Sequence, residues 1–424
     1  MPVILKIFTI FLFILILNRK FPLGIALFSG SFLLCLWMGF DFSFFVQSGI
    51  GSLKELTTIS LVLIVATILI MSALMQSTGQ IERMVSTFQD LTASPGLVAS
   101  VMPALIGLLP MPGGALFSAP MVEAGVGKEC IEAEKKVVLN YWFRHIWEYW
   151  WPLYPGVVLA IALLKVPAWK FIGFMLLPSV LSVVAGKVFI LNFISCPLRE
   201  KKKVSFYLIK KFLWEIMPIV IVVISILVLS LLEYFLHKIG VNLHIPGSTA
   251  IIPGLLLSLV WIMFTNKVSV RELKTFIYNK KFLNMVFLVI SIMIFKNMLA
   301  KTNAVFLVRE ELIAYHIPLV LVVMIMPFLS GFITGIAIGF VGASFPLIIP
   351  MFPEPSSLSY LSWAALAYTF GYMGMMLSPV HLCFLVTKDY FQANLLVSYK
   401  YLLKPVLFVV FLVLVLFGAG VYWF

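Results

Sequence analysis

Residues 102–121 read MPALIGLLPMPGGALFSAPM, and residues 326–347 read MPFLSGFITGIAIGFVGASFPL. Both are apolar, yet Pro103, Pro110, Pro112, Gly113, Gly114 and Pro120 interrupt the first, and Pro327, Gly331, Gly335, Gly339, Gly342 and Pro346 the second. Irregular backbone at membrane depth survives only where protein or a water-filled cavity surrounds it, because unpaired amides facing lipid are costly. The wider segments 97–124 and 317–350 are therefore expected to be re-entrant hairpins, each returning to the side it entered. Both core stretches begin with Met-Pro, and Ser118 and Pro120 of one match Ser344 and Pro346 of the other, in the same order.

The rest of the chain is just as apolar: 62% of its 424 residues are hydrophobic and 11% charged, with a mean hydropathy of +1.11. No water-soluble domain has this composition. A hydrocarbon core of about 30 Å takes roughly 20 apolar residues to cross. Ten spans are expected, at 2–18, 21–40, 57–78, 137–164, 169–192, 213–236, 247–265, 283–300, 361–387 and 401–423. The 30 Lys and Arg outnumber the 17 Asp and Glu. They concentrate in short loops, as the positive-inside effect requires, so they speak of topology and not of nucleic acid. Loops 19–20, 79–96, 125–136, 193–212, 266–282 and 388–400 carry 19 basic residues, against 6 in the loops between them. The first set is assigned to the cytoplasm and both termini outside. The first apolar run, followed by Arg19 and Lys20 without a small-residue cleavage site, reads as a retained span.

Five spans and one hairpin precede the basic linker 193–212, and five spans and one hairpin follow it. An odd number of crossings turns the second half upside down. The expected fold is thus an all-α membrane protein of two inverted repeats, 1–192 and 213–424, multi-pass in a prokaryotic inner membrane. The four cysteines, Cys35, Cys130, Cys196 and Cys383, show no CxxC pair and no nearby histidine cluster. Neither a disulfide framework nor a metal site is expected from that spacing.

Chemistry concentrates in Asn140–Gly156, NYWFRHIWEYWWPLYPG. Arg144, His145 and Glu148 stand three and four residues apart, which on a continuous helix gives them one face. Ionisable groups inside a membrane are costly and mark cavities or partners. With Asn140 and His381 they are candidates for ion coupling or a charge relay; the bland alternative is an interfacial ion pair within a tryptophan belt. Proline breaks at Tyr154, Pro155 and Gly156 and at Ser378 and Pro379 fall at matching places in the two halves, and unwound spans offer carbonyls to cations and half-helix N-termini to anions. The expected hairpin tips, Pro112, Gly113, Gly114 and Ser118 in one and Gly339, Gly342, Ala343 and Ser344 in the other, complete the candidate substrate-binding set.

The hairpin signature Met111–Val122 and the NYWFRHIWEYWWPLYPG run resemble the integral membrane family known as domain of unknown function 401, over almost the whole chain. That family is grouped with the ion transporter superfamily of citrate, gluconate, C4-dicarboxylate and sodium/proton carriers. The resemblance implies a homodimer with a fixed scaffold and a mobile domain carrying both hairpins as an elevator. The tips carry Pro-Gly-Gly and Gly-Ala-Ser where the dicarboxylate carriers have Ser-Asn-Thr, so neither solute nor ligands are carried over.

The function expected is secondary active transport of a small anionic solute, organic acid-like, coupled to sodium or protons, with no other cofactor and no enzymatic activity. No Walker motif is present, which argues against ATP-driven transport by this chain. The alternatives are an ion channel and an intramembrane enzyme using His145 and Glu148 as acid and base.

Overall fold

The computed structural model describes residues 1–91, 94–111, 113–127, 130–194, 205–240, 248–355 and 357–420. Pro112 and most of the basic linker, 195–204, lie outside them, as does His244. The described residues contain α-helices, two short 3-10 turns and no strand.

The helices before the linker are α1 (Val3–Leu17), α2 (Leu23–Trp37), α3 (Phe42–Lys54), α4 (Leu56–Ser77), α5 (Gln80–Gln89), α6 (Pro95–Ile106), α7 (Ala115–Val126), α8 (Ala133–His145), α9 (Pro155–Leu164) and α10 (Ala168–Phe189). After it come α11 (Phe206–Lys238), α12 (Ile251–Asn266), α13 (Val270–Ile277), α14 (Lys280–Lys301), α15 (Ala304–Ala314), α16 (Leu319–Thr334), α17 (Ala337–Ile348), α18 (Leu358–Met376), α19 (Leu382–Phe391) and α20 (Leu395–Gly418). Five of them, α4, α10, α11, α14 and α20, are long and apolar enough to cross a membrane. α11 turns Ile224, Leu227, Val228 and Leu231 outward, as a lipid-facing helix does.

Each feature of the ladder has a local cause. Pro155 starts α9, where its missing N–H is no loss. Ser269 caps α13, its hydroxyl accepting from the Glu272 amide and donating to the Glu272 carboxylate. The expected loops 41–56, 79–96, 266–282 and 301–316 contain the short helices α3, α5, α13 and α15 instead. In α5 and α13 charged and apolar residues segregate at helical spacing, so these helices can lie along a surface without spanning anything.

Packing pairs the two halves reciprocally. α4 packs on α12 and α14 on α2; α5 packs on α11 and α15 on α1; α7 packs on α19 and α17 on α9; α8 packs on α20 and α18 on α10. The long-range side-chain hydrogen bonds sort differently. One set ties α1–α5 to α11–α15, through Arg83 to Glu215 and Asn266, Asn297 to Ser52 and Glu55, and Glu311 to the amides of Val3 and Ile4. The other ties α6–α10 to α16–α20, for example Asn140 to Thr387, Tyr368 to Glu148 and Tyr360 to Leu164. No side-chain hydrogen bond between described residues joins the two sets.

Two expectations need correction. The second hairpin turns at Gly335 and Ile336, with Gly335 in the left-handed region (φ 65°); Gly339, Gly342, Ala343 and Ser344 lie inside α17, buried. The turn belongs where a residue without Cβ is required, and matching Ser344 to Ser118 displaced it. Cys130, expected to be isolated, is disulfide-bonded, a pairing that only tertiary proximity creates.

Candidate functional site

The apolar segment 137–164 is not one helix. α8 ends at His145, residues 146–154 turn, and α9 restarts at Pro155. Arg144, His145 and Glu148 therefore do not share a helical face. Glu148 comes back through the turn, its amide donating to the His145 carbonyl, and its Oε1 stands 3.8 Å from His145 Nε2. α18 breaks likewise: residues 377–381 turn and α19 begins at Leu382.

A break at membrane depth strands carbonyls at each helix end. Aromatic donors satisfy them here. Trp147 Nε1 donates to Ala104 O (2.8 Å), Trp151 Nε1 to Leu108 O (2.9 Å) and the Tyr154 hydroxyl to Gly107 O, closing the end of α6. Tyr372 donates to His145 O (2.7 Å), Tyr368 to Glu148 O (2.8 Å) and Tyr141 to Met376 O (3.1 Å), closing both broken spans. Trp142 donates to Ser182 O. These rings are internal struts, and the tryptophan-belt alternative fails for them.

Both hairpin turns and both breaks meet around a cavity of about 190 Å³. Its wall includes Met111 and Gly113 from the first turn, Gly335 to Ile338 from the second, Arg144, His145, Glu148 and Tyr154 to Gly156 from one break, and His381 to Cys383 from the other. Leu69 of α4 and Met285 of α14 complete it. Four helices, α7, α9, α17 and α19, begin at or beside this wall, and a helix start carries partial positive charge and free amides.

Arg144 is 3% exposed. Its Nη2 donates to Met111 O at 2.9 Å, while Nε and Nη1 have no partner. Gly114 packs against this guanidinium so closely that a Cβ there would lie 2.6 Å from Nη2. Beside it, His145 Nδ1 lies 2.6 Å from Tyr141 O. A carbonyl only accepts, so Nδ1 carries the proton. His145 Nε2 is 3.1 Å from His381 Nε2, so in the neutral pair His381 donates through Nε2 and its Nδ1, which has no partner, is bare.

Several candidates sit elsewhere. Ser118 and Ser344 bond back to carbonyls of their own helices, at Ala115 and Phe340. Gly342 faces Ile292 of α14, so bulk there acts on packing. Asn140 ties α8 to α7 and α19, with Oδ1 unpartnered. Ser378 accepts from the Val380 amide, and Pro379 is exposed. Sequence reasoning passed over Ile336 and Cys383, and counted Gly335 among the interruptions of the second hairpin without placing the turn there. For Cys383 the available signal was its place two residues after His381, following the proline break.

A larger cavity of about 420 Å³ adjoins the first, sharing Leu69, Met285 and Ile336, and extends to Asn18, Pro22, Asn279 and Lys281. A further cavity beside Lys165, Lys296 and Pro355 shares no lining residue with the central one. The central cavity thus communicates toward one end.

Residues 1–421 match a family described as protein of unknown function (DUF401). The chain belongs to the DUF401 family. No curated protein matches it. In this DUF401 chain the match runs across both hairpins, both breaks and every cavity-lining residue.

Proposed function

We propose that the chain is a homodimeric secondary transporter of the ion transporter superfamily type, moving a small organic anion across a prokaryotic inner membrane by coupling to sodium or protons. The observation that carries this reading is Arg144, a buried cation with two unspent N–H directions in a cavity where four helices start. Glu148 lines the same cavity, but the unspent guanidinium N–H groups and the four helix starts together offer donors suited to an anion. The reciprocal packing of the halves supports inverted repeats with re-entrant hairpins. The two hydrogen-bond sets support an elevator, with α1–α5 and α11–α15 as scaffold and α6–α10 and α16–α20 as the moving body. The larger cavity ends among loops assigned to the cytoplasm, which makes this the inward-facing state and disfavours a continuous channel.

Purified protein in liposomes, tested with imposed sodium and proton gradients and a panel of mono-, di- and tricarboxylates, should accumulate at least one acid in a gradient-dependent manner. Gradient-independent flux at channel rates, or none with any anion, would sink the proposal. The orientation is tested separately. A membrane-impermeant maleimide applied to intact cells should label a cysteine introduced at Lys165 and not one introduced at Lys281, both exposed positions; labelling of the latter overturns the topology.

A further inference from the structure

We propose that His145, His381 and Cys383, with Glu148 in the fourth position, form a binding site for a transition-metal dication of the zinc class. The three buried side chains each offer one ligand atom, a ring nitrogen from each histidine and Cys383 Sγ, all within 4.8 Å of one another. Ligands at about 2.0 to 2.3 Å from a tetrahedral zinc are separated by roughly 3.3 to 3.6 Å. The two imidazole nitrogens, 3.1 Å apart, and Glu148 Oε1, 3.8 Å from His145 Nε2, are already near that spacing. The thiol has at most about 1.5 Å to travel.

Protonation favours the same arrangement. The Tyr141 carbonyl holds the proton of His145 on Nδ1 and leaves Nε2 with its lone pair outward, the backbone-anchored form of many metal-ligating histidines. His381 has only to move its proton from Nε2 to Nδ1, which is unpartnered. Binding releases the Cys383 thiol proton to water in the cavity, and the thiolate and the Glu148 carboxylate then neutralise the dication. The occupied site is electrically balanced. Arg144 and the helix starts keep their positive potential, so metal and anion are compatible in one cavity. Two imidazoles, a thiolate and a carboxylate suit zinc and exclude magnesium and calcium, which take oxygen ligands.

The test does not depend on transport. Full-length protein, stripped with chelator in detergent, is titrated with zinc and with cobalt(II), and bound metal is measured alongside absorption. Wild type is expected to take up one equivalent, with cobalt showing intense tetrahedral bands and a thiolate-to-metal charge-transfer band. Cys383→Ser should abolish the charge-transfer band and weaken binding about 10-fold or more, and His381→Ala should abolish stoichiometric uptake; both are judged on protein that stays monodisperse. Absence of stoichiometric binding to wild type, or a cobalt spectrum unchanged by Cys383→Ser, overturns the proposal and leaves the pair of histidines with protons alone. Either result leaves the anion-transport reading standing.

Discussion

Arg144→Ala lowers solute affinity by about 100-fold or more while the protein still inserts and accumulates. A hydrogen bond to a charged group contributes about 1.5 to 3 kcal/mol, and Nε and Nη1 are both free for the solute, so two such bonds disappear together. Folding is spared because most of the guanidinium's hydrogen-bonding capacity is unused within the protein, an arrangement that contributes little to stability. Its hydrogen bond within the protein is to the Met111 carbonyl. Arg144→Lys, which keeps the charge without the planar fork, should recover part of the loss. Equilibrium binding on purified variants, read beside membrane abundance, decides the matter. A variant that fails to accumulate yet binds normally per molecule would mean that Arg144 is a structural group.

Gly331→Ala and Gly107→Ala are expected to destabilise strongly, each by about 3 kcal/mol, near the top of what overpacking costs. A Cβ on Gly331 would overlap the Gly371 carbonyl oxygen and crowd the Met375 amide; one on Gly107 would overlap the Arg144 carbonyl oxygen. Both obstacles are backbone, so no side chain can rotate away. Gly173, which has nothing within 4 Å of such a Cβ, is the control: alanine there should be neutral or slightly stabilising. Thermal unfolding in mild detergent should rank the three accordingly, and equal midpoints would refute the close-contact account.

The two broken spans and two hairpins were legible because proline and glycine leave few alternatives in an apolar run. Their meeting place was legible only in part: Gly113 and Tyr154 to Gly156 line one cavity, whereas Ser118, Gly339, Gly342 to Ser344, Ser378 and Pro379 do not. The second turn was misplaced because the two turns differ in length: α6 and α7 are separated by residues 107–114, α16 and α17 by Gly335 and Ile336 alone. Arms matched by their serines cannot reveal that difference. The donor set of His145, His381 and Cys383 was out of reach for another reason: the two histidines are 236 residues apart, and only packing of α8 on α19 brings them together. The tryptophans left two readings open, since an indole that satisfies a stranded carbonyl inside the protein has the same sequence signature as one that sits at the headgroups.

Layered solids slide along planes that strong bonds do not cross, and the division of side-chain hydrogen bonds gives this protein such a plane. Each polar group at the cavity belongs to α6–α9 or α16–α19, whereas α4 and α14 contribute only Leu69 and Met285. Displacing one layer against the other exchanges one apolar contact for another of similar worth, because dispersion contacts are individually small and not directional. Friction at the site is therefore low, and it is set by side-chain shape. On the proposed transport reading, replacing Leu69 or Met285 with a residue able to hydrogen-bond across the plane would act as a brake, slowing transport without altering the polar groups of the cavity.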